Sequence, residues 1–183
     1  MNLLYISGSP RKKSNTDYLL NMLLNETDGR FIKLTEYHIE ACMACRDCRG
    51  LGNCTIDDDM RNTLIPELLA CDAMVLGSPI YFNDVSAQMK AFMDRTHCLI
   101  GLLTNKIGGA VVVGRRYGAE SAIATINAFF LKHQMIPANR GIFGIAFAAG
   151  EIVQDNNALA AVQPLASRLL ELGDMLGYVA DGE

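Results

Sequence analysis

Short apolar runs rich in β-formers alternate along the chain with longer segments of helical period, and this alternation constrains the fold more than any motif does. Strand, crossover helix and second strand, repeated, is the pattern of a parallel sheet with helices packed on its faces. Strands are expected near residues 2–7, 30–34, 73–77, 109–113 and 142–146, and helices near 16–24, 60–70, 87–97, 120–132 and 158–176. Five of each in strict order make a doubly wound α/β architecture. Pro66 falls inside the second helix, where its missing N–H should kink or split the segment. The 183 residues are half apolar, enough for one core, and carry no linker or repeat, so a single domain over 1–183 is expected.

A net charge of -4 gives no overall basic field for nucleic acid or an anionic membrane. The chain enters an apolar strand at once, without the charged lead of a signal peptide. No apolar run approaches the roughly 20 residues that span a bilayer. A soluble, cytoplasmic protein with neither nucleic-acid nor membrane partners is expected.

The first strand runs into Ser7-Gly8-Ser9-Pro10-Arg11-Lys12-Lys13-Ser14-Asn15-Thr16, which opens a helix. Backbone N–H groups, hydroxyls and the positive end of a helix dipole together suit a phosphate. Neither G-x-G-x-x-G nor the P-loop pattern is present, so a mononucleotide phosphate fits better than NAD or ATP. Ser14, Asn15 and Thr16 are also ordinary helix caps, but the position after the first strand and the charge of Arg11 favour a ligand. The third strand leads into Gly77-Ser78-Pro79-Ile80-Tyr81-Phe82-Asn83 and the fourth into Gly114-Arg115-Arg116-Tyr117-Gly118. Taken alone, the first of these is a hydrophobic loop and the arginines a solvated pair. At the same carboxyl ends as a phosphate loop, they suit a flat heterocycle with Tyr81 and Phe82 beside it. Arg115 or Arg116 then offsets charge on a reduced ring.

Ser9-Pro10-Arg11 through Thr16, with Gly77 through Phe82, resembles the NADPH-dependent FMN reductase group of flavodoxin-like proteins, over a stretch from Asn2 to about Gly118. The resemblance implies a flavodoxin-like sheet of order 2-1-3-4-5 and FMN as cofactor. It implies that Ser9, Arg11, Ser14, Asn15 and Thr16 hold the phosphate. It also implies that the ring lies along Pro79, Ile80, Tyr81, Phe82 and Asn83 and near Gly114, Arg115, Arg116, Tyr117 and Gly118.

Four of the six cysteines fall in Cys42-x2-Cys45-x2-Cys48-x5-Cys54, inside an irregular stretch from Glu36 to Asp59 that is long for a connection without a task. Three thiolates at this spacing wrap one face of a cubane cluster and the fourth completes it. Zinc also takes four thiolates, usually as two separated pairs. Arg46, Asp47, Arg49 and Asn53 make the loop too polar for core, and Gly50 and Gly52 give the last gap its turning freedom. Asp57-Asp58-Asp59 reads as an acidic helix start favoured by the macrodipole. Cys71 and Cys98 read as buried apolar side chains. The loop is similar to that of iron-sulfur flavoproteins of anaerobic microbes, including Gly52-x-Cys54 and Asp58-Asp59-Met60.

That second resemblance implies a [4Fe-4S] cluster on Cys42, Cys45, Cys48 and Cys54, electron passage to FMN, a ferredoxin-type donor, and a homodimer or homotetramer. Because the loop leaves the second strand beside the first, both cofactors are expected at one end of the sheet, with no general acid or nucleophile needed. The competing readings are an NAD(P)H-dependent FMN or quinone reductase whose cysteine loop binds zinc or no metal, and a thiol-based redox sensor.

Overall fold

The computed structural model describes residues 1–178. Its core strands are β1 (Leu3–Ser7), β3 (Ala73–Pro79) and β4 (Ile107–Gly114), all apolar enough to be covered on both faces. With β2 (Arg30–Lys33), β5 (Ile136–Pro137) and β6 (Ile142–Ile145) they form a parallel sheet in the order β2-β1-β3-β4-β5, with β6 also on β4. This is the expected flavodoxin-like order, with one strand more than the five expected. Six strands arise because the last sheet position is shared: β5 pairs with Ile107 and Gly108, and β6 with Val111 to Gly114. Pro137 has no N–H for a longer ladder, and the chain loops out before Gly141, at φ 109°, brings it back.

The side chains of β1 show the two faces. Leu4 and Ile6 pack with Met60, Leu64, Met89, Phe92 and Phe130, from the side that carries α2 (Ile65–Ala70), α3 (Ala87–Arg95) and α4 (Ala119–Lys132). Leu3 and Tyr5 pack with Leu19, Leu20, Leu23, Leu165 and Leu169, from α1 (Asn15–Thr27) and α6 (Val162–Met175). Helices therefore cover both faces, as double winding requires. The approach is close at Gly108, where a Cβ would stand 2.6 Å from the Phe130 ring.

Two helices are divided near a proline, the second as Pro66 leads one to expect and the last without such an expectation. Ahead of Pro66 the chain opens into a π turn, Met60–Leu64, whose wider loop lets the Ile65 N–H reach the Met60 carbonyl before α2 begins. The C-terminal helix is divided into α5 (Asn156–Ala160), capped by Asp155, and α6, with Pro164 in the first turn of α6 where its missing donor is tolerated. α3 ends two residues early and continues as a 3-10 turn, Thr96–Leu99. Among the described residues no helix is long and apolar enough to cross a membrane.

His133 ends α4 with only 2% of its surface exposed, its Nε2 2.8 Å from Thr96 Oγ1 and its ring edge-on to Phe129. Burial pulls its pKa down to about 4, and the nearby charges of His97 and Lys132 act in the same direction, against a backbone contact from Leu99. Between about pH 6.5 and 4 the unfolded chain binds a proton that the folded chain refuses, so stability falls as pH is lowered through that window. At pH 5 the loss amounts to about 2 kcal/mol. Urea unfolding at pH 7 and pH 5 should show a drop in wild type that is much smaller in His133→Gln.

Candidate functional site

Two serines, Ser78 and Ser86, tie the carboxyl ends of β1 and β3 to the start of α3. The Gly8 N–H donates to the Gly77 carbonyl at 2.8 Å. The Ser86 N–H donates to Ser78 Oγ at 2.8 Å, while the Ser86 hydroxyl donates to the Gly8 carbonyl at 2.7 Å. Ser78 and Ser86 are fully buried, so these bonds hold the loops above them in one arrangement.

Above this knot lies a cavity of about 230 Å³ lined by Ser9, Arg11, Ser14, Asn15, Thr16, Pro79, Ile80, Tyr81, Gly114 and Arg115, joined by Val113, Ala146 and Phe147. Its floor is the N-terminus of α1. Ser14 caps that helix, its Oγ accepting the Asp17 N–H at 3.1 Å, which leaves its own proton free to donate. Asn15 departs from expectation: its Nδ2 donates to the Ala148 carbonyl at 2.8 Å, and its Oδ1 accepts the Gly150 N–H at 2.8 Å. Its side chain fastens the loop after β6, while the residue still lines the cavity. Lys33 binds Asp17 and the Arg11 carbonyl, holding the first loop against α1.

Phe82, Asn83, Arg116 and Tyr117 line a groove of about 500 Å³ that opens from the cavity and shares Ile80, Arg115 and Phe147 with it. Gly118 lines neither. At φ 84°, a Cβ there would stand 2.5 Å from Asn83 Cα, so this glycine lets the two loops touch. Tyr81 and Asp84 exchange backbone hydrogen bonds at 2.9 and 3.1 Å around Phe82 and Asn83, both at positive φ (50° and 63°), which is the backbone of a type I′ turn. Phe82 is fully exposed on that turn. Ala146 and Phe147 were not foreseen from sequence, although they follow a strand at the same sheet end as the other three loops.

A second cavity, of about 410 Å³, is lined by Cys42, Cys45, Cys48 and Cys54 with Arg46, Ile56, Asp94, Arg95 and His97 among its other walls. Cys42 and Cys45 are exposed and Cys48 and Cys54 buried. Left-handed backbone at Ala44 (φ 53°) and Arg46 (φ 67°) brackets Cys45, a strained conformation for side-chain-bearing residues that turns the loop inward. Burial pushes the Cys48 thiol up, and Cys54, Cys45 and Cys42 push it further, which places all four in one electrostatic neighbourhood. Among the described residues no three His, Cys, Asp or Glu side chains converge on a single-ion position. Cys71 and Cys98 are buried, each pushed by burial to about 12, with Cys48 and Cys54 contributing at Cys98.

The loop is closed by the acidic run that follows it. Asp59 Oδ2 accepts the His38 N–H at 2.7 Å and Asp58 Oδ2 the Glu40 N–H at 2.9 Å. Asp58 is buried and bidentate to Arg95, at 2.6 and 2.9 Å. Burial pushes its carboxyl up, but Arg95 and the N–H groups of Glu40 and Arg61 outweigh this and leave it below the usual range. The run is therefore a clasp rather than only a dipole-favoured helix start.

This closure overturns one expectation. The cysteine cavity and the flavodoxin-like cavity share no lining residue. One sits by the start of α3, where Ser86 meets Gly8, and the other by its end, at Asp94 and Arg95. The nine residues of α3 span about 13 Å. The four-residue β2 releases the chain early, and the Asp58–Arg95 pair draws the loop down to the far end of the helix.

A family model described as NADPH-dependent FMN reductase matches residues 1–150, beyond the Gly118 limit read from sequence. An iron-sulfur flavoprotein of Methanocaldococcus jannaschii is 37% identical, over 94% of this chain and 97% of its own. Among solved structures, RosB with a bound 8-demethyl-8-formylriboflavin-5'-phosphate intermediate superimposes with a TM-score of 0.81 at 16% identity, covering 98% of this chain and 81% of that one. A flavodoxin from the domain Archaea gives a TM-score of 0.60 at 16% identity, covering 94% and 99%. With these likenesses joined to the sheet order and the two cavities, the chain belongs to the iron-sulfur flavoproteins of the NADPH-dependent FMN reductase family, oxidoreductases built for FMN-based electron transfer.

Proposed function

We propose that one chain holds FMN at the cavity over α1 and a [4Fe-4S] cluster at the four cysteines, and that it carries electrons between them from a ferredoxin-type donor. The observation that carries this reading is a cavity lined by four thiols and large enough for a multi-atom group, in a chain that also has a separate cavity with phosphate-type donors. FMN when bound supplies one- and two-electron chemistry, and a cluster supplies single electrons. The residues do the holding. Ser9, Ser14, Thr16 and Arg11 offer hydroxyl protons and a charge to the phosphate at the α1 N-terminus. Pro79, Ile80, Tyr81, Val113 and Phe147 exclude water from the ring, and Arg115 sets a cation beside it. Phe82 and Tyr117 flank the outer groove, where a second substrate or a partner chain of a homodimer or homotetramer is admitted. We read the whole chain as one domain.

The family name favours a second reading, an NAD(P)H-dependent FMN or quinone reductase whose cysteine loop binds zinc or no metal, with the outer groove as the nicotinamide site. Purification without oxygen, followed by the visible spectrum and assays for iron, acid-labile sulfide and zinc, separates the two. Flavin with about four irons and four sulfides per chain is the expected result; flavin with zinc or no metal selects the reductase.

Three variants examine the flavin site. Left-handed backbone costs a phenylalanine roughly 1–2 kcal/mol that glycine avoids, so Phe82→Gly should melt no lower than wild type while releasing FMN faster in a dilution assay. Arg115→Ala should make the flavin potential more negative by about 30 mV, the equivalent of a tenfold change for a two-electron couple. Arg116→Ala, facing the outer groove, should move it less. An unchanged potential in Arg115→Ala removes that arginine from the ring site.

A further inference from the structure

Arg95 is among the largest fully buried side chains of the molecule, and its position is costly. A guanidinium taken out of water loses several kcal/mol of solvation, which a single ion pair only balances when its remaining donors are also met. A pair of apolar residues would fill the same space without that cost. Three of the five N–H groups are used: Nη1 donates to Asp58 Oδ2 at 2.6 Å and to the Glu40 carbonyl at 2.7 Å, and Nη2 donates one of its two protons to Asp58 Oδ1 at 2.9 Å. The third nitrogen, Nε, is buried and has no acceptor.

What lies beside it is the cysteine cavity, of which Arg95 and Cys54 are both walls. Burial works against the charge on Arg95, but Asp58 and then Cys54 more than restore it. A neutral pair formed by Arg95 and Asp58 thus leaves two unused N–H groups, the second on Nη2 and the one on Nε, of which Nε is the nitrogen with no acceptor at all, and the neighbour with acceptor capacity is a sulfur of the proposed cluster site.

We propose that Arg95 is a positioning residue of the cysteine site, its Nε–H donating to the Cys54 sulfur when that sulfur is a ligand, with Asp58 and Glu40 fixing the direction of the bond. The inference rests on the cluster reading above and deepens it. A hydrogen bond to a ligand sulfur withdraws electron density and favours the reduced, more negative state, which raises the potential. The same guanidinium joins both ends of the loop, at Glu40 and Asp58, so the tuning donor and the loop closure are one group.

The test uses the full chain, reconstituted with iron and sulfide without oxygen and titrated by electron paramagnetic resonance. Arg95→Met with Asp58→Asn removes the Nε–H donor but leaves the charge of the pair at zero. Its cluster should have a more negative midpoint, by the tenfold shift in the reduced-to-oxidised ratio that equals 59 mV for one electron. Asp58→Asn alone keeps the donor and unbalances its positive charge, so its midpoint should not fall and should rise if it moves. A purely structural role predicts instead that both variants lose cluster content while the remaining cluster keeps the wild-type potential, and that result overturns the proposal.

A second measurement needs no cluster. In the reduced chain loaded with Cd2+, a diamagnetic ion that takes thiolate ligands, the Arg95 Nε–H signal in a proton–nitrogen correlation spectrum should shift upfield in Cys54→Ala and stay in place in Cys42→Ala. A signal indifferent to Cys54 overturns the assignment. Should wild type take up no iron or sulfide, the cluster reading fails by itself, and the Nε–H signal still decides whether Arg95 addresses Cys54.

Discussion

The structure depends on one constraint, that β1, β3 and β4 are buried on both faces. With each face committed to apolar packing, the strands offer chemistry only at their ends, and the loops there must satisfy their own polar groups. The serine knot at Ser78 and Ser86 does this for the loops after β1 and β3. Asn15 does it for the loop after β6. What remains unsatisfied at that end is the start of α1 with the hydroxyls around it, so the cavity for an anion is a residue of the packing problem rather than an addition to it.

Much of this was legible in the residues. Buried parallel strands read as continuous apolar runs, so β1, β3 and β4 were placed to within a few residues and the sheet order followed from the resemblance. β5 escaped because Ile136 and Pro137 are too few for any period to register. At the cavity, residue types announced the donors, but not how a side chain divides its bonds: Asn15 has the composition of a phosphate ligand and the partners of a loop fastener. Arg95 was invisible for a different reason. On a helix that also carries Lys90 and Asp94 it reads as one more solvated charge, and only the return of the chain at Asp58, 37 residues away, buries it.

The cysteine loop shows how a long irregular segment is held without regular structure. Closing about 20 residues costs loop entropy that grows slowly with length, and here it is offset at the neck. His38 and Glu40 enter against Asp59 and Asp58, and the buried ion pair anchors that neck to α3. Between neck and tip the chain is left with exposed Met43 and Leu51 and with left-handed residues at Ala44, Arg46, Gly50 and Gly52. Strain is thus concentrated around the thiols, while the fixed end lies in the core.

The outermost strands carry a separate consequence. β2 has four residues, with Arg30 paired to Glu67 and Lys33 engaged by Asp17. On the opposite flank, Asp155 Oδ2 already accepts the Ile145 N–H at 2.7 Å at the end of β6. Neither rim presents a long, vacant ladder of backbone donors, and charged side chains stand where a foreign segment would have to lie. Copies of this chain are thereby steered away from merging their sheets into fibrous stacks, and any lasting association must be made by side chains of helices and loops, whose strength single substitutions can grade.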